Sequence, residues 1–144
     1  MQNDPPVQAS PASPVPGTKS STGLDENVAA LLSYVATWVS GLIFFLIEKN
    51  SRLVRFHAMQ SILLFGVFIV GEVAIWIVSF ILAIILGYIS GLLGTLAWAL
   101  MSLLGFVLFI AALIGWIVCM IKAYQFQYFK LPVLGNFAEK FSQK

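Results

Sequence analysis

Residues 61–121 read SILLFGVFIVGEVAIWIVSFILAIILGYISGLLGTLAWALMSLLGFVLFIAALIGWIVCMI, and Glu72 is the only formal charge in this stretch. About 20 apolar residues in a helix cross the hydrocarbon core of a bilayer, so the stretch is long enough for more than one crossing. A second apolar run covers residues 28–47. Only 10% of the 144 residues are charged, against about 25% in an average soluble domain. The sequence therefore predicts an all-α integral membrane protein.

The long apolar stretch divides into two predicted spans. Three crossings of about 20 residues would leave no room for loops, whereas two crossings leave a connection at residues 87–95, which holds three glycines. Glycine weakens a helix by about 1 kcal/mol relative to alanine, so we place the turn there. Gly87 and Gly91 also have the spacing of a motif for close helix packing, which is the alternative interpretation. The predicted spans are 28–47, 60–86 and 96–122, which form a small bundle of three transmembrane helices within residues 27–131.

The distribution of lysine and arginine predicts the orientation of these helices. With three spans, the first loop and the C-terminal tail share one side of the membrane, and seven of the eight basic residues lie there. Lys19 alone lies on the other side. Because basic residues near spans are enriched in the cytoplasm, we expect the N-terminus outside and the C-terminus in the cytoplasm. The seven residues are Lys49, Arg52, Arg55, Lys122, Lys130, Lys140 and Lys144.

The two ends of the chain are more polar than the spans. Residues 1–26 are rich in proline and serine and hold few large apolar side chains. They cannot bury enough surface to offset the entropy of ordering, so we expect a disordered tail. Residues 132–144 are predicted to form a short amphipathic tail on the cytoplasmic surface, with a frayed tail as the alternative. Within it, Asn136 and Glu139 have the spacing of a helix capping box.

Glu72 is the first candidate functional residue, because a carboxylate is costly in hydrocarbon and such residues often mark ion or proton paths. Helix geometry places it roughly 20 Å from the inner face of the membrane. Three interpretations stay open. The carboxyl takes part in transport, or it is a protonated acid that bonds to a hydroxyl of a neighbouring helix, or the span is misplaced and Glu72 lies in a loop. The hydroxyls at a comparable depth belong to Ser33, Tyr34, Thr37 and Ser102.

The sequence gives little support to other chemistry. His57 is the only histidine and Cys119 the only cysteine, so neither a multi-ligand metal site nor an internal disulfide is expected. There is no grouping of a nucleophile with its base, and no glycine-rich phosphate loop with a lysine. We expect no enzyme, no cofactor and no metal, and the net charge of +2 is too small to favour nucleic acid.

Arg52 and Arg55 begin the second helix in the predicted headgroup region. Attraction to anionic lipid is worth about 1 kcal/mol per basic residue, whereas a position near a helix N-terminus costs about 0.3–1 kcal/mol for each. This balance favours a headgroup location over bulk water. Besides the lipid bilayer itself, anionic lipid headgroups are therefore a predicted partner of the two arginines.

The segment LVRFHAMQ at residues 53–60 resembles the hallmark of a family of small uncharacterised bacterial and archaeal membrane proteins with three predicted spans. Residues 29–34 and the C-terminal pattern at 121–135 are similar to that family as well. The resemblance implies a multi-pass protein of the prokaryotic plasma membrane. It adds four candidate functional residues to Glu72: Arg55, Phe56, His57 and Gln60.

A more distant similarity runs to the twenty-kilodalton component of the chloroplast inner-envelope protein translocon. It is carried by the same Arg-Phe-His segment between two spans, here residues 55–57. This similarity implies a part in a protein-import channel. Neither resemblance supplies an established catalytic residue.

Three functions stay open from the sequence. The first is a small non-enzymatic membrane protein that acts through helix–helix contacts, as a homo-oligomer or with other membrane proteins. The alternative is a transport or protein-translocation component in which several copies surround a path. The third is a membrane-surface role in which Arg52, Arg55 and the C-terminal lysines hold anionic lipid. A channel should show a continuous polar stripe, and the spans hold only Glu72 and scattered hydroxyls, which favours the first.

Overall fold

The computed structural model describes residues 18–132 and 134–142, and the regular structure in these ranges is helical. Five helices follow one another along the chain: α1 (Glu26–Val35), α2 (Thr37–Ile47), α3 (Arg52–Ile89), α4 (Gly91–Tyr124) and α5 (Leu134–Ser142). By length and composition, α3 and α4 are able to cross a membrane. The prediction of an all-helical protein with long apolar helices is therefore confirmed.

α3 and α4 form a long antiparallel pair. Their 38 and 34 residues give lengths of about 57 and 51 Å at the rise of an α-helix, well beyond the bilayer core of about 30 Å. Aromatic pairs show the register of the two helices. Phe65 packs edge-on against Trp116 near one end, and Trp76 packs edge-on against Trp98 nearer the turn.

Ser90 alone separates α3 from α4, so most of the glycine-rich region 87–95 is helical and not the connection that we predicted. The packing of the glycines explains the difference. A Cβ atom at Gly94 would lie 2.9 Å from both the Ala83 carbonyl oxygen and Gly87 Cα. Without side chains the two helices approach closely, and the contacts made there offset the low helix propensity of glycine.

The apolar run at 28–47 folds back on itself, so the prediction of one straight span is wrong. The Ser21 amide, which precedes α1, donates to both carboxylate oxygens of Glu48, which follows α2, at 3.1 and 3.0 Å. Thr37 lies at the tip of this α1–α2 hairpin, and its carbonyl accepts from Ser61 Oγ at 2.9 Å. Both ends of the hairpin therefore lie at the same end of the bundle, with α1 running up beside α3 and α2 running back down.

The tip of the α1–α2 hairpin is stabilised by a serine. Thr37 has a φ of +57°, which is rare for a β-branched residue, and the helical ladder is interrupted there. Ser40 Oγ accepts from the Ala36 amide at 3.0 Å and donates to the Ser33 carbonyl at 3.1 Å. Non-helical backbone is tolerated at membrane depth where protein groups satisfy it, so an apolar run of span length can turn inside the protein.

Most of the buried core lies at the end of the bundle that holds both ends of the hairpin, which we call the charged end. Alanine and tyrosine side chains of α1 pack there against the start of α3 and the end of α4. The cluster consists of Ala29, Ala30, Tyr34, Leu53, Val54, Cys119 and Ala123. Further along α3 and α4, many large apolar side chains are exposed, as expected for helices that face lipid.

Both chain ends pack at the charged end. Lys19 pairs with Asp25 through a backbone bridge and a 2.6 Å ion pair, so residues 18–25 form a turn within the region that we assigned to a disordered tail. Residues 1–17 of that tail lie outside the described residues. α5 packs against α3 and is tied to the preceding segment by a 2.8 Å ion pair between Lys130 and Glu139. Asn136 lies inside α5 and does not begin it, so the predicted capping box is wrong.

Candidate functional site

Arg55, near the start of α3, is held by contacts inside the protein. Its Nη1 donates to the Glu48 carbonyl oxygen at 3.0 Å, and its guanidinium carbon lies 4.9 Å from the centre of the Phe45 ring. The side chain is half-buried, whereas Arg52 is exposed. Arg55 therefore joins α3 to the end of α2 and is less available than Arg52 to a lipid headgroup.

The Glu48 carboxylate completes this junction, and sequence reasoning missed it. Glu48 is fully buried, and its Oε1 accepts from the Asn50 and Ser51 amides, both at 2.9 Å, and from Ser21 Oγ at 2.8 Å. Burial alone would raise the pKa of Glu48, but the hydrogen bonds outweigh it, the Ser51 amide first, and hold the pKa below its usual value. The available signal was an acidic residue three positions before Ser51, the serine that caps α3.

Phe56 and His57 connect α3 to the hairpin and to the segment that follows α4. Both side chains are buried, and Phe56 packs edge-on against Tyr128 with ring centres 5.4 Å apart. His57 Nε2 lies 3.0 Å from the Gln127 carbonyl oxygen, and Nδ1 lies 3.1 Å from the Tyr34 hydroxyl. Because a carbonyl only accepts, Nε2 carries a proton and donates to Gln127; in the neutral imidazole, Nδ1 then accepts from the Tyr34 hydroxyl.

Gln60 extends the same set of contacts along α3. Its Nε2 donates to Cys119 Sγ at 3.2 Å, and the thiol lies beside the Tyr34 hydroxyl. Gln60 Oε1 is buried and has no hydrogen-bond partner among the described residues. The structure thus brings together four of the five candidate residues. We call these four, with Glu48 and the groups that they contact, the polar cluster.

The polar cluster joins three parts of the chain: the α1–α2 hairpin, α3 and the segment after α4. Its side chains are directed at one another or at backbone atoms of neighbouring elements. Two buried atoms of the cluster, Arg55 Nε and Gln60 Oε1, have no hydrogen-bond partner among the described residues, whereas its other groups are paired, and paired buried groups rigidify the structure around them. The arrangement is that of a junction between helices, and the pairing of Arg55 and His57 within the protein fits this role.

Glu72, the fifth candidate, lies apart from the polar cluster, about 18 Å further along α3 than Gln60. Its Oε1 is buried without a hydrogen-bond partner in the described part of the chain. Its Oε2 faces α4 and lies 3.1 Å from the place that a Cβ atom of Gly105 would take. Of the four hydroxyl residues predicted as its partners, Ser102 lines the same cavity, whereas Tyr34 belongs to the polar cluster.

An open groove between α3 and α4 surrounds the Glu72 carboxyl. Its volume is about 450 Å³, within the range of small-molecule sites, about 300–1,000 Å³. Aromatic and aliphatic side chains form most of its wall, which includes Phe68, Trp76 and Ser79 of α3 and Trp98, Ser102 and Phe109 of α4. We call this cavity the α3–α4 groove. Sequence reasoning singled out Glu72 but did not place aromatic rings around it.

Metal chemistry has no visible site in these surroundings. Within residues 18–132 and 134–142, no three His, Cys, Asp or Glu side chains lie close enough together to hold a metal ion. The two sites offer different chemistry: a hydrogen-bond network of side chains at the charged end, and a single acid among aromatic rings between α3 and α4.

Residues 24–138 match the profile of the magnetosome magnetite crystal formation protein family. The chain belongs to this family. The match begins just before α1 and ends within α5, so the magnetosome-family region contains both the polar cluster and the α3–α4 groove. No solved structure shows significant similarity to this member of the family.

Relatives of this magnetosome-family protein occur in archaea. A UPF0132 membrane protein of Methanocaldococcus jannaschii is 43% identical over 125 residues, which cover 87% of this chain and 96% of the relative. A UPF0132 membrane protein of Archaeoglobus fulgidus is 39% identical over 117 residues, which cover 81% of this chain and 95% of the relative. These matches confirm the membrane assignment and the resemblance to uncharacterised archaeal membrane proteins. The similarity to the chloroplast translocon component stays a prediction.

Proposed function

We propose that this protein is a non-enzymatic multi-pass protein of the prokaryotic plasma membrane in which α3 and α4 cross the bilayer. The α1–α2 hairpin enters the membrane beside them and returns without crossing. The bonds between Ser21 and Glu48 carry this proposal, because they bring both ends of the hairpin to the charged end. Two spans then replace the three that we predicted, and residues 18–25 lie on the same side as α5.

The basic residues support this topology. The three-span prediction left Lys19 on the outer side, but Lys19 pairs with Asp25 at the start of α1, at the charged end. The turn around Ser90 lies within residues 73–121, which carry no formal charge. Basic residues flanking spans are enriched in the cytoplasm, so the charged end faces the cytoplasm in this proposal.

Cysteine labelling in intact cells tests the topology. In a Cys119→Ala background, we expect a membrane-impermeant maleimide to label Tyr88→Cys from outside, because Tyr88 lies near the α3–α4 turn and is 89% exposed. Lys19→Cys should react only after the cells are permeabilised. Labelling of both cysteines from outside would restore the three-span topology and contradict ours.

The protein acts, in our proposal, through contacts between its membrane helices and those of a second copy. A Cβ atom at Gly66, Gly71 or Gly115 would meet no atom within 4 Å, so these glycines favour no contact within one chain. Each nevertheless costs about 1 kcal/mol in a helix relative to alanine. Small residues let membrane helices of separate chains approach closely, which would give these positions a role.

Energy transfer between labelled copies in liposomes tests self-association. Leucine at Gly66 and Gly115 together should lower the fraction of associated protein several-fold, because the larger side chains keep the helices apart. Val107→Leu, on the exposed surface of α4, is the matched control and should change little. Equal association of all three proteins at the same protein-to-lipid ratio would contradict the proposal.

Transport is the second candidate function, and the Glu72 carboxyl within a groove of the apolar helices favours it. Ionisable groups inside membranes often belong to ion or proton paths. In proteoliposomes with an imposed pH gradient, a proton path through Glu72 would be slowed by Glu72→Gln and retained in part by Glu72→Asp. Equal proton flux for the wild type and Glu72→Gln would exclude that path.

A further inference from the structure

We propose that the α3–α4 groove binds a lipophilic organic cation, such as an ammonium or phosphonium ion with apolar substituents. The site consists of the Glu72 carboxyl and the aromatic rings that surround it. It lies within one copy of the chain, so it does not depend on self-association. The proposed helix–helix role assigns no ligand to this groove, and the organic cation would be that ligand.

The Glu72 carboxyl supplies the charge that such a ligand needs. Its Oε1 is buried and has no hydrogen-bond partner in the described ranges, whereas buried polar groups are normally paired. On α4, Gly105 faces the carboxyl, with Oε2 at 3.1 Å from the position of a Cβ atom there. The absence of a side chain at Gly105 leaves room for the carboxyl between the helices without supplying a donor to it.

Aromatic rings supply the second part of cation recognition. Trp76 and Trp98 meet edge to face, with ring centres 5.7 Å apart, in the wall of the groove. Phe68 and Phe109 lie together in the same wall, with ring centres 6.2 Å apart. Aromatic faces attract cations within about 6 Å, and clusters of such rings recognise quaternary ammonium groups. A carboxylate beside several rings is therefore complementary to an organic cation.

The depth of the groove selects a lipophilic cation over a hydrated one. Glu72 lies midway along α3 between Arg55 and Ile89, about 26 Å from either, and so near the middle of the long α3–α4 pair. A metal ion there would lose its water for a single carboxyl, since the described residues offer no cluster of three metal ligands. A cation that carries its own apolar substituents loses far less hydration and fills the apolar wall.

Cation and proton compete for the same carboxyl. Only the ionised form of Glu72 attracts a cation, so binding to a protonated site must release a proton, and acidification must weaken binding. An apolar pocket that binds by area alone would show neither effect. This linkage separates recognition by the carboxyl from simple partitioning of an apolar ligand into the groove.

Binding of tetraphenylphosphonium to the purified full chain in lipid nanodiscs tests the proposal. Equilibrium dialysis should show saturable binding by the wild type that weakens as the pH is lowered, with protons released on binding. Glu72→Gln should bind at least ten-fold more weakly. Trp38→Leu, which alters a half-exposed tryptophan of α2 outside the groove, should bind within two-fold of the wild type.

Two further measurements keep the outcome decisive. Trp98→Leu should weaken binding several-fold, which decides the matter if Glu72→Gln fails to fold, and unchanged binding by this folded variant contradicts the proposal. Tetraphenylborate has the same shape and the opposite charge, so binding as strong as that of the cation also contradicts it. Energy transfer between labelled copies of the same variants separates cation binding from self-association. Cation binding can fail while association persists, and association can fail while cation binding persists.

Discussion

At the charged end, the buried carboxylate of Glu48 accepts hydrogen bonds from the amides of Ser21, Asn50 and Ser51. In the middle of α3, the Glu72 carboxyl has one oxygen that is buried and without a partner among the described residues. Glu48 directly follows α2 and Glu72 lies within α3. The two acids differ in the hydrogen-bond donors around their carboxyl groups. Removal of paired buried groups should therefore cost stability, whereas Glu72 is free to be a site for something that the chain itself does not supply.

The largest expected effect is at His57 in the polar cluster. His57→Ala removes the bonds to Tyr34 and Gln127 and leaves a cavity, so the free energy of unfolding should fall by about 3–5 kcal/mol. Tyr88→Ala, at a side chain that is 89% exposed, should change it by less than about 0.5 kcal/mol in detergent. Denaturant titration followed by tryptophan fluorescence measures both changes. A small loss of unfolding free energy for His57→Ala would contradict a structural role for the polar cluster.

Two glycines give the next comparison. A Cβ atom at Gly41 would lie 2.9 Å from the Ala58 carbonyl oxygen and 3.1 Å from Ser61 Cβ, so Gly41→Leu should push α2 away from α3. We expect a loss of about 1–3 kcal/mol in unfolding free energy. Gly66→Leu meets open space and should be neutral or slightly stabilising in dilute detergent. If both variants lost the same stability, the close contact of the hairpin with α3 would be in doubt.

The helices could be predicted from the sequence, and the reversal of the chain within residues 28–47 could not. Long apolar runs predict α3 and α4, because backbone groups in hydrocarbon must bond within the protein and a helix satisfies them within one segment. The same reasoning fails at residues 28–47, because two short helices satisfy the backbone groups of 20 apolar residues as well as one spanning helix does. The break depends on Ser40 and Ser61, which satisfy backbone groups at the tip. Such contacts are tertiary and leave no periodicity in the sequence.

The candidate site divides in the same way. Glu72 was found because a charge in an apolar run is visible in the sequence. The resemblance at 55–57 indicated Arg55 and His57, but their pairing with Glu48 and Gln127 follows from chain reversal and from the segment after α4. Glu48 was missed because its position three residues before the cap of α3 does not, by itself, distinguish a buried acceptor of backbone amides from an ordinary loop residue.

The pH dependence of stability sharpens the contrast between the two acids. The pKa of Glu48 is lowered in the folded protein, against about 4.3 for a free glutamate. Its contribution is therefore fully present above the unfolded pKa and is lost as the pH falls through the folded pKa. At pH 7, Glu48→Gln should be less stable by about 1 kcal/mol, and the difference should close on acidification below about pH 4.

The control for this pH series is Glu139→Gln, which removes an ion pair with Lys130 at a partly exposed site. Surface ion pairs contribute about 0–1 kcal/mol, so the change in unfolding free energy should be small. A gap between the wild type and Glu48→Gln that stayed constant from pH 7 to pH 3 would show that the Glu48 charge does not contribute. The buried backbone amides would then be satisfied equally well by an amide side chain.

The smallest expected effect separates two neighbouring arginines. Arg52 is exposed, whereas Arg55 is engaged with Glu48 and Phe45. We therefore expect Arg52→Ala to weaken the preference for anionic over neutral lipid by at most about 1 kcal/mol, the value of one basic residue at a membrane surface. Arg55→Ala should leave that preference nearly unchanged and lower the unfolding free energy instead. Energy transfer from the protein's tryptophans to labelled anionic lipid measures the first quantity, and the same effect of both substitutions would show that Arg55 also reaches the headgroups.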